Sequence, residues 1–238
     1  MSGLSLEVRD LAVSFRGRTV LDGVDMEIRP GEVVGLIGPN GAGKTTAFRA
    51  VLGLLVPRRG AVSFGRPLDG LPLHRRARLG LGYLPQGPSV FRGLSARDNL
   101  LVLLEALHRP DPRRRAEELL ERFGLVELAD QRASTLSGGE RRRLEFARAL
   151  CSDPQVLLVD EPFSGVDPLA AAEISRAIGE LASDGVGVLL TDHTVREALS
   201  TCQRLDLLLE GRIAESGTPD ELRASELARD RYLGPAAG

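Results

Sequence analysis

The sequence lacks the features that mark secreted and membrane-spanning proteins. Its two cysteines, Cys151 and Cys202, form neither a disulfide framework nor a CxxC metal motif. The N-terminus "MSGLSLEVRD" has no basic start followed by an apolar stretch, and the chain contains no window of about 18 uncharged apolar residues. These absences favour a cytoplasmic protein in which both thiols are buried as small apolar side chains.

An excess of one charge is also missing. The 238 residues include 31 Lys and Arg against 33 Asp and Glu, which gives a formal net charge of -2. This balance does not favour binding by general electrostatic attraction, so we expect no nucleic acid partner. The length and the hydrophobic fraction of 42% predict one large globular domain, or a domain with a subdomain.

Lysine is almost absent, since Lys44 is the one lysine among the 31 basic residues. It lies in "GPNGAGKTT", where Gly38-x4-Gly43-Lys44-Thr45 is a complete P-loop between an apolar run and a predicted helix. In such a loop, backbone N–H groups surround phosphate oxygens, the lysine reaches the β- and γ-phosphates, and the threonine hydroxyl holds Mg²⁺. A compact ammonium fits this cradle where a planar guanidinium would not. The alternative is a glycine-rich turn that only links a strand to a helix.

The P-loop defines the first set of predicted ATP-binding residues. They are Gly38, Pro39, Asn40, Gly41, Ala42, Gly43, Lys44, Thr45 and Thr46.

An acidic pair follows a second apolar run. "VLLVDE" ends in Asp160 and Glu161, at the end of a strand that we expect to be buried on both faces of a parallel sheet. One carboxylate is placed to hold Mg²⁺ and the next to polarise an attacking water. Carboxylates also begin turns at strand ends, and that alternative stays open for the pair taken alone.

The stretch "LSGGE" combines a helix cap with two glycines. Ser137 and Glu140 have the spacing of an ordinary capping box for the helix that follows. Capping does not require Gly138 and Gly139 in the first turn, where each costs about 1 kcal/mol relative to alanine. Glycines at this place leave the backbone amides accessible to an anion.

These motifs together resemble the nucleotide-binding subunits of ABC (ATP-binding cassette) transporters, and the resemblance covers nearly the whole chain. It implies an α/β P-loop NTPase fold, with a RecA-like core, an antiparallel β subdomain and an inserted helical subdomain. We place the core and β subdomain at residues 1–87 and 150–238, and the helical subdomain at residues 88–149. The resemblance also implies ATP and Mg²⁺ as ligands and a head-to-tail homodimer that encloses two ATP molecules.

Several roles follow from the resemblance alone. Phe15 matches the aromatic residue that stacks on adenine, with a core aromatic as the alternative. Gln86 in "YLPQG" matches the glutamine that contacts Mg²⁺ and the attacking water, and Asp167 matches the loop that joins the two ATP sites. The signature residues Ser137, Gly138, Gly139 and Glu140 are placed at the γ-phosphate held by the other subunit. The implied metal ligands are Thr45, Gln86 and Asp160.

His193 in "LLTDHTV" matches the family's γ-phosphate histidine. It follows a predicted strand and precedes Thr194-x-x-Glu197, which has the spacing of a capping box. A satisfied surface or core histidine is the alternative. Glu161 is the expected general base, and the predicted catalytic residues are Lys44, Gln86, Glu161 and His193.

Longer stretches, such as "RARLGLGYLPQGPSVFRGLSARDNL", resemble the ATPases of lipopolysaccharide exporters, with those of branched-chain amino acid importers as near relatives. This resemblance implies two integral membrane subunits that dock near Gln86 to Arg92, on the cytoplasmic face of the inner membrane. Phe91 is either an apolar contact there or a core residue. A soluble ABC ATPase of iron–sulfur cluster assembly stays open as an alternative. The C-terminal "YLGPAAG" departs from the family's usual tail, which puts any role of the tail in dimer contacts in doubt.

Local patterns predict some details of structure. "TTAFRAVLGLL" predicts a helix that continues to Pro57, and the two runs Arg113 to Arg115 and Arg141 to Arg143 indicate solvated helix faces. A hairpin is expected to turn at Glu210-Gly211, and Thr218-Pro219 to open a short last helix.

Overall fold

The computed structural model describes residues 4–234, and this part of the chain forms two sheets flanked by helices. The strands are β1 (Leu6–Phe15), β2 (Arg18–Ile28), β3 (Val33–Ile37), β4 (Arg59–Phe64), β5 (Leu81–Leu84), β6 (Val156–Asp160), β7 (Gly187–Thr191), β8 (Arg204–Leu209) and β9 (Arg212–Gly217). The helices are α1 (Lys44–Val51), α2 (Leu73–Arg78), α3 (Ala96–Ala106), α4 (Pro112–Arg122), α5 (Gly138–Ala149), α6 (Pro168–Ser183), α7 (Val195–Thr201), α8 (Pro219–Ala224) and α9 (Glu226–Ala228). The last four residues of "YLGPAAG" lie outside the described residues.

The larger sheet brings the motif-bearing segments to one edge. Its strand order is β5-β6-β7-β3-β8-β9, with β5, β6, β7, β3 and β8 parallel and β9 antiparallel. Every residue of β3, β6 and β7 is buried, as expected for strands covered on both faces. Since parallel strands end at the same edge, the segments after β3, β5, β6 and β7 meet there.

The smaller sheet, of order β2-β1-β4, is antiparallel and packs near the first helix. Phe48 of α1 and Phe64 of β4 lie in one buried apolar cluster with Leu36 of β3. The end of β1 at Phe15 therefore lies beside the loop that joins β3 to α1, where both line one cleft.

The helices α3, α4 and α5 lie between β5 and β6, where the resemblance implies a helical insertion. The Ser95 side chain caps α3 by accepting from the Asp98 amide, and α4 ends before Gly124, which has φ 60°. Ala116, Leu119 and Leu120 of α4 are buried, as is Phe123 directly after the helix. The division of the chain into subdomains at residues 88 and 149 stays a prediction.

The first helix is shorter than expected. The sequence pattern predicts a helix up to Pro57, but α1 ends at Val51. Gly53 has φ 73°, and the Leu54 amide donates to the Arg49 carbonyl at 2.8 Å, so the chain turns away in a left-handed cap. The apolar residues that continue the helical pattern after Gly53 belong to a loop.

Two further local predictions are wrong. Arg142 is not solvated: it is 8% exposed, because its guanidinium donates to the Glu145 carboxylate at 2.9 Å and to the Pro85 carbonyl at 3.3 Å. The capping box at Thr194 does not form, since the Thr194 side chain makes no cap bond and the Asp192 carboxylate accepts from the Thr194 amide instead.

Other expectations are confirmed. Cys151 and Cys202 are buried free thiols, and burial raises the pKa of Cys151 to about 12. The hairpin turns at Glu210-Gly211 between β8 and β9, and Thr218 opens α8 with a complete capping box. Among residues 4–234, no helix has the length and apolar character needed to cross a membrane.

Candidate functional site

The loop between β3 and α1 is built to approach an anion closely. Gly43 has φ 115°, and a Cβ there would lie 2.6 Å from the Leu21 side chain, so the turn requires glycine. No side chain caps α1, in contrast to α3, α5 and α8. The first amides of α1 are therefore available to a ligand, and the helix dipole favours a negative one.

The Lys44 ammonium is held at the mouth of this loop. Its Nζ donates to the Gly38 carbonyl at 2.6 Å and to the Pro39 carbonyl at 3.1 Å, and the residue is 7% exposed. Burial lowers the pKa of Lys44, whereas the nearby carboxylates of Glu161, Asp192 and Asp160 raise it. These three carboxylates therefore lie close enough to the P-loop to influence its lysine.

Asp160 is fixed by the register of the sheet. It ends β6 directly opposite Thr191 of β7, and the Thr191 hydroxyl donates to the Asp160 Oδ1 at 2.7 Å. Both residues are buried. This short hydrogen bond between neighbouring strands fixes the orientation of the Asp160 carboxylate.

Glu161, Gln86 and His193 form one polar cluster after three different strands. The Gln86 Nε2 donates to the Glu161 Oε2 at 2.6 Å, and the His193 Nδ1 lies 3.4 Å from the same oxygen. Glu161 has φ 46°, a left-handed conformation that is uncommon for glutamate and turns its side chain out of the strand direction. The structure thus brings together three of the four predicted catalytic side chains by direct contact.

A cleft of about 690 Å³ contains the P-loop and Glu161. Phe15 lies on its wall and is 44% exposed, so it is not a core aromatic. The remaining lining residues from the predicted site are Pro39, Asn40, Gly41, Ala42, Gly43, Lys44, Thr45 and Thr46. The cleft also includes residues that the sequence motifs do not assign to the site: Arg18, Thr19, Val20, Glu210 and Gly211.

The two signature glycines lie at a second cleft. Gly138, Gly139 and Asp167 line this cleft of about 220 Å³ together with Gln86 and Glu161. The P-loop cleft has no lining residue from the signature or from Asp167 among the described residues. Within one chain, the structure therefore does not bring these residues to the P-loop.

Packing does not explain the two signature glycines. A Cβ at Gly138 would meet nothing within 4 Å, and one at Gly139 would be 3.9 Å from Ala170. Ser137 and Glu140 form the full capping box of α5, which confirms that local prediction and satisfies the Ser137 and Glu140 amides. The two glycines leave the first turn of α5 without side chains at these positions, so its backbone is accessible there.

The segment Gln86 to Arg92 is attached to the helices that follow it. The Ser89 amide donates to the Glu145 carboxylate at 3.0 Å, and the Phe91 amide donates to the Asn99 side chain at 2.8 Å. The Phe91 ring is half-exposed and lies 4.6 Å from the Arg148 guanidinium. Phe91 is therefore a partly exposed aromatic surface rather than a core residue.

Two residues of the site are not among those predicted from the sequence. Asp192 is fully buried, and its carboxylate accepts from the Phe163 amide at 2.9 Å and the Thr194 amide at 2.7 Å. Tyr232, far along the chain, donates to the Asp192 carbonyl at 3.3 Å. The motif "LLTDHTV" contains the signal for Asp192, since a buried carboxylate directly after a strand requires partners. No local pattern identifies Tyr232.

The donor set fits MgATP. The residues described include no group of three or more His, Cys, Asp or Glu side chains that could hold a metal ion alone. Mg²⁺ is instead commonly bound through one or two carboxylates together with substrate phosphates. A hydroxyl at Thr45, an amide at Gln86 and the Asp160 carboxylate match that pattern, and the uncapped α1 fits the phosphates.

A P-loop after the central strand of a parallel sheet, with an acidic pair at the end of a strand in the same sheet, defines a P-loop NTPase. The sequence profile of the ABC transporter family matches residues 21–164, and the chain belongs to this family. It is the ATP-hydrolysing subunit of an ABC transporter.

The chain is similar to known proteins over nearly its full length. It is 48% identical over 232 residues to the lipopolysaccharide export system ATP-binding protein LptB of Acidithiobacillus ferridurans, covering 96% of each chain. It is 45% identical over 237 residues to LptB of Escherichia coli strain K12, covering 97% of each. The crystal structure of an ATP-binding cassette of an ABC transporter in its ADP conformation matches with a TM-score of 0.87 at 26% identity, covering 97% of this chain and 99% of that one. These similarities confirm the predicted ABC ATPase fold.

Proposed function

We propose that this chain powers the export of lipopolysaccharide, or a related lipid, to the outer membrane through separate membrane subunits. The observation that carries this proposal is the 48% identity to a lipopolysaccharide export ATPase across 96% of both chains. Identity spread over the whole length includes the segments outside the ATP motifs, which are the parts of such a subunit that face its partners.

In the proposed mechanism, Glu161 is the general base. Gln86 and His193 both approach its Oε2, and its Oε1 accepts no hydrogen bond within residues 4–234. Oε1 is therefore the oxygen that takes a proton from water as the water oxygen bonds to the γ-phosphorus, while the bond to the β-phosphate oxygen breaks and ADP leaves. Gln86 holds the carboxylate in place, His193 contacts the γ-phosphate, and Lys44 neutralises charge on the β- and γ-phosphates.

The remaining roles concern binding. Asp160, Thr45 and Gln86 would hold Mg²⁺, which supplies positive charge at the phosphates when bound. Phe15 would stack on adenine, since an exposed ring at the wall of the cleft is free to do so. The separation of the two clefts supports a head-to-tail homodimer, in which the signature and Asp167 of one chain complete the P-loop site of the other.

The proposed partners are two integral membrane subunits that dock near Gln86 to Arg92, at the cytoplasmic face of the inner membrane. The half-exposed Phe91 ring supplies an apolar surface in this segment. Because Gln86 begins the segment and also donates to Glu161, docking and hydrolysis share one stretch of chain.

The proposal is tested by trapping the ATP-bound state and identifying what is attached to it. Tagged Glu161→Gln protein is expressed in its own cells, membranes are extracted in mild detergent with MgATP, and copurifying proteins are identified by mass spectrometry. We expect ATP hydrolysis to fall by about three orders of magnitude, since the general base is lost. Two membrane proteins with large periplasmic domains should copurify.

Glu127→Gln, a change of the same kind at an exposed surface position, is the control and should hydrolyse ATP normally. Recovery of amino acid permease subunits, or of soluble assembly partners alone, would contradict lipid export but would not contradict the assignment of the chain as an ABC transporter ATPase. Normal turnover in the Glu161→Gln protein would instead contradict the role of Glu161.

A further inference from the structure

Tyr232 connects the C-terminal segment, residues 218–234, to the nucleotide site. It lies in the turn Arg229–Leu233, and its phenol donates to the Asp192 carbonyl at 3.3 Å across 40 positions of sequence. Burial raises the pKa of Tyr232 to about 12, and the Gly38 backbone N–H beside the phenol oxygen opposes this rise. The hydroxyl thus lies between the start of the P-loop and the residue before His193.

The backbone around His193 is held from two sides. The Asp192 carboxylate accepts two amides, those of Phe163 and Thr194, and this fixes the side-chain end of the residue. The Asp192 carbonyl accepts from Tyr232 and belongs to the peptide that leads into His193. His193 itself is half-exposed, so the position of its backbone contributes, together with the Glu161 contact, to where the imidazole lies.

The C-terminal segment is itself held in place, so Tyr232 has a fixed position from which to hold the Asp192 carbonyl. Leu222 and Ala228 are fully buried, and the Ser225 hydroxyl donates to the Glu215 carboxylate at 2.6 Å. The Arg231 guanidinium pairs with the Glu210 carboxylate at 2.7 Å, and Glu210 lines the P-loop cleft. The segment therefore contacts the site at two places.

We propose that Tyr232 is a positioning residue for ATP hydrolysis: it holds the peptide before His193 at a fixed distance from the P-loop, so that the imidazole meets the γ-phosphate. The proposal rests on the role of His193 in the proposed function. It assigns to the C-terminal segment a part in catalysis that does not require contact with the nucleotide.

The test is a comparison of steady-state ATP hydrolysis by the full chain and by Tyr232→Phe, which keeps the ring and removes the hydroxyl. We expect kcat to fall by about threefold to tenfold, the effect of one hydrogen bond, with the KM for ATP changed by less than about twofold. Asp220→Ala is the matched control, because it loses one exposed hydrogen bond of the same segment, the one donated by Arg223, away from the nucleotide site. Its kcat should be unchanged.

A double-mutant cycle with His193→Ala identifies the route of the effect. If Tyr232 acts through His193, Tyr232→Phe lowers kcat in the native background and has no further effect in the His193→Ala background. Equal losses in both backgrounds, or a lowered thermal midpoint with unchanged kcat, would overturn the proposal. A normal kcat for His193→Ala alone would contradict the proposed role of His193 instead, so the two failures are distinguishable.

Discussion

Lys44 shows how a single side chain is matched to its surroundings. Its ammonium is held by two backbone carbonyls of the loop that it serves. Lysine presents a point charge on a slim stem, whereas arginine presents a planar group with a fixed arrangement of donors. This difference explains why a chain that otherwise uses arginine has lysine at this position.

We predict that Lys44→Arg lowers the affinity for MgATP by at least about tenfold, because the guanidinium cannot occupy the same cradle without displacing the loop. Titration with a fluorescent ATP analogue measures this change, with circular dichroism as the check on folding. Arg114→Lys, a comparable exchange on an exposed face of α4, should bind ATP normally. Affinity within twofold of the native value in Lys44→Arg would show that charge alone is required.

Among the elements, α1 depends on a buried arginine at its C-terminal end. Arg76 of α2 is 4% exposed and donates to the carbonyls of Val51 at 2.6 Å, Ala50 at 3.3 Å, Leu68 at 2.9 Å and Leu71 at 2.8 Å. None of the ion pairs within residues 4–234 includes Arg76. It acts as a cap that holds α1, and with it the P-loop, against the segment before β5.

We predict that Arg76→Met lowers the free energy of unfolding by about 2–4 kcal/mol, since buried carbonyls would lose their donor. Urea denaturation measures this loss. Arg75→Met, one position away on the exposed face of α2, should change stability by less than about 0.5 kcal/mol. Equal stability of the two variants would mean that water or a backbone shift replaces the Arg76 contacts.

The elements also show what the sequence can and cannot predict. The strands β3 and β6, the α5 capping box and the hairpin at Glu210-Gly211 follow from local patterns, because their determinants lie within a few residues. The contact of the buried Arg142 with the Pro85 carbonyl and the capping by Arg76 do not, because the carbonyls that accept these bonds lie outside the helix of the arginine. The polar cluster at Glu161 falls between these cases: motifs identify its members, and the strand order brings them together.

At the scale of the whole molecule, the two clefts divide the predicted ATP site. The P-loop cleft holds the P-loop residues and Phe15, and the other cleft holds the signature glycines, Asp167 and Gln86. Glu161 lines both. In a head-to-tail dimer each nucleotide would contact both chains, so ATP binding would favour the closed dimer and loss of the γ-phosphate would release it.

A complementation experiment tests whether the site is shared between chains. We predict that Lys44→Ala and Gly138→Asp proteins are each inactive alone but active when mixed. The mixed dimer would retain one site made of an intact P-loop from the Gly138→Asp chain and an intact signature from the Lys44→Ala chain. Gly138→Asp should fold, since a Cβ there meets no neighbour within 4 Å. Its carboxylate would repel the γ-phosphate bound to the other chain.

Random pairing makes about half of the dimers mixed, each with one active site of two, so the rate should reach roughly a quarter of the native value per chain. A mixture of Lys44→Ala with Glu161→Gln provides the control. Both of these changes lie in the P-loop half of the site, so the mixed dimer has no chain with that half intact and should stay inactive. Recovery in the control, or no recovery with Gly138→Asp, would show that the signature does not complete the site of the other chain.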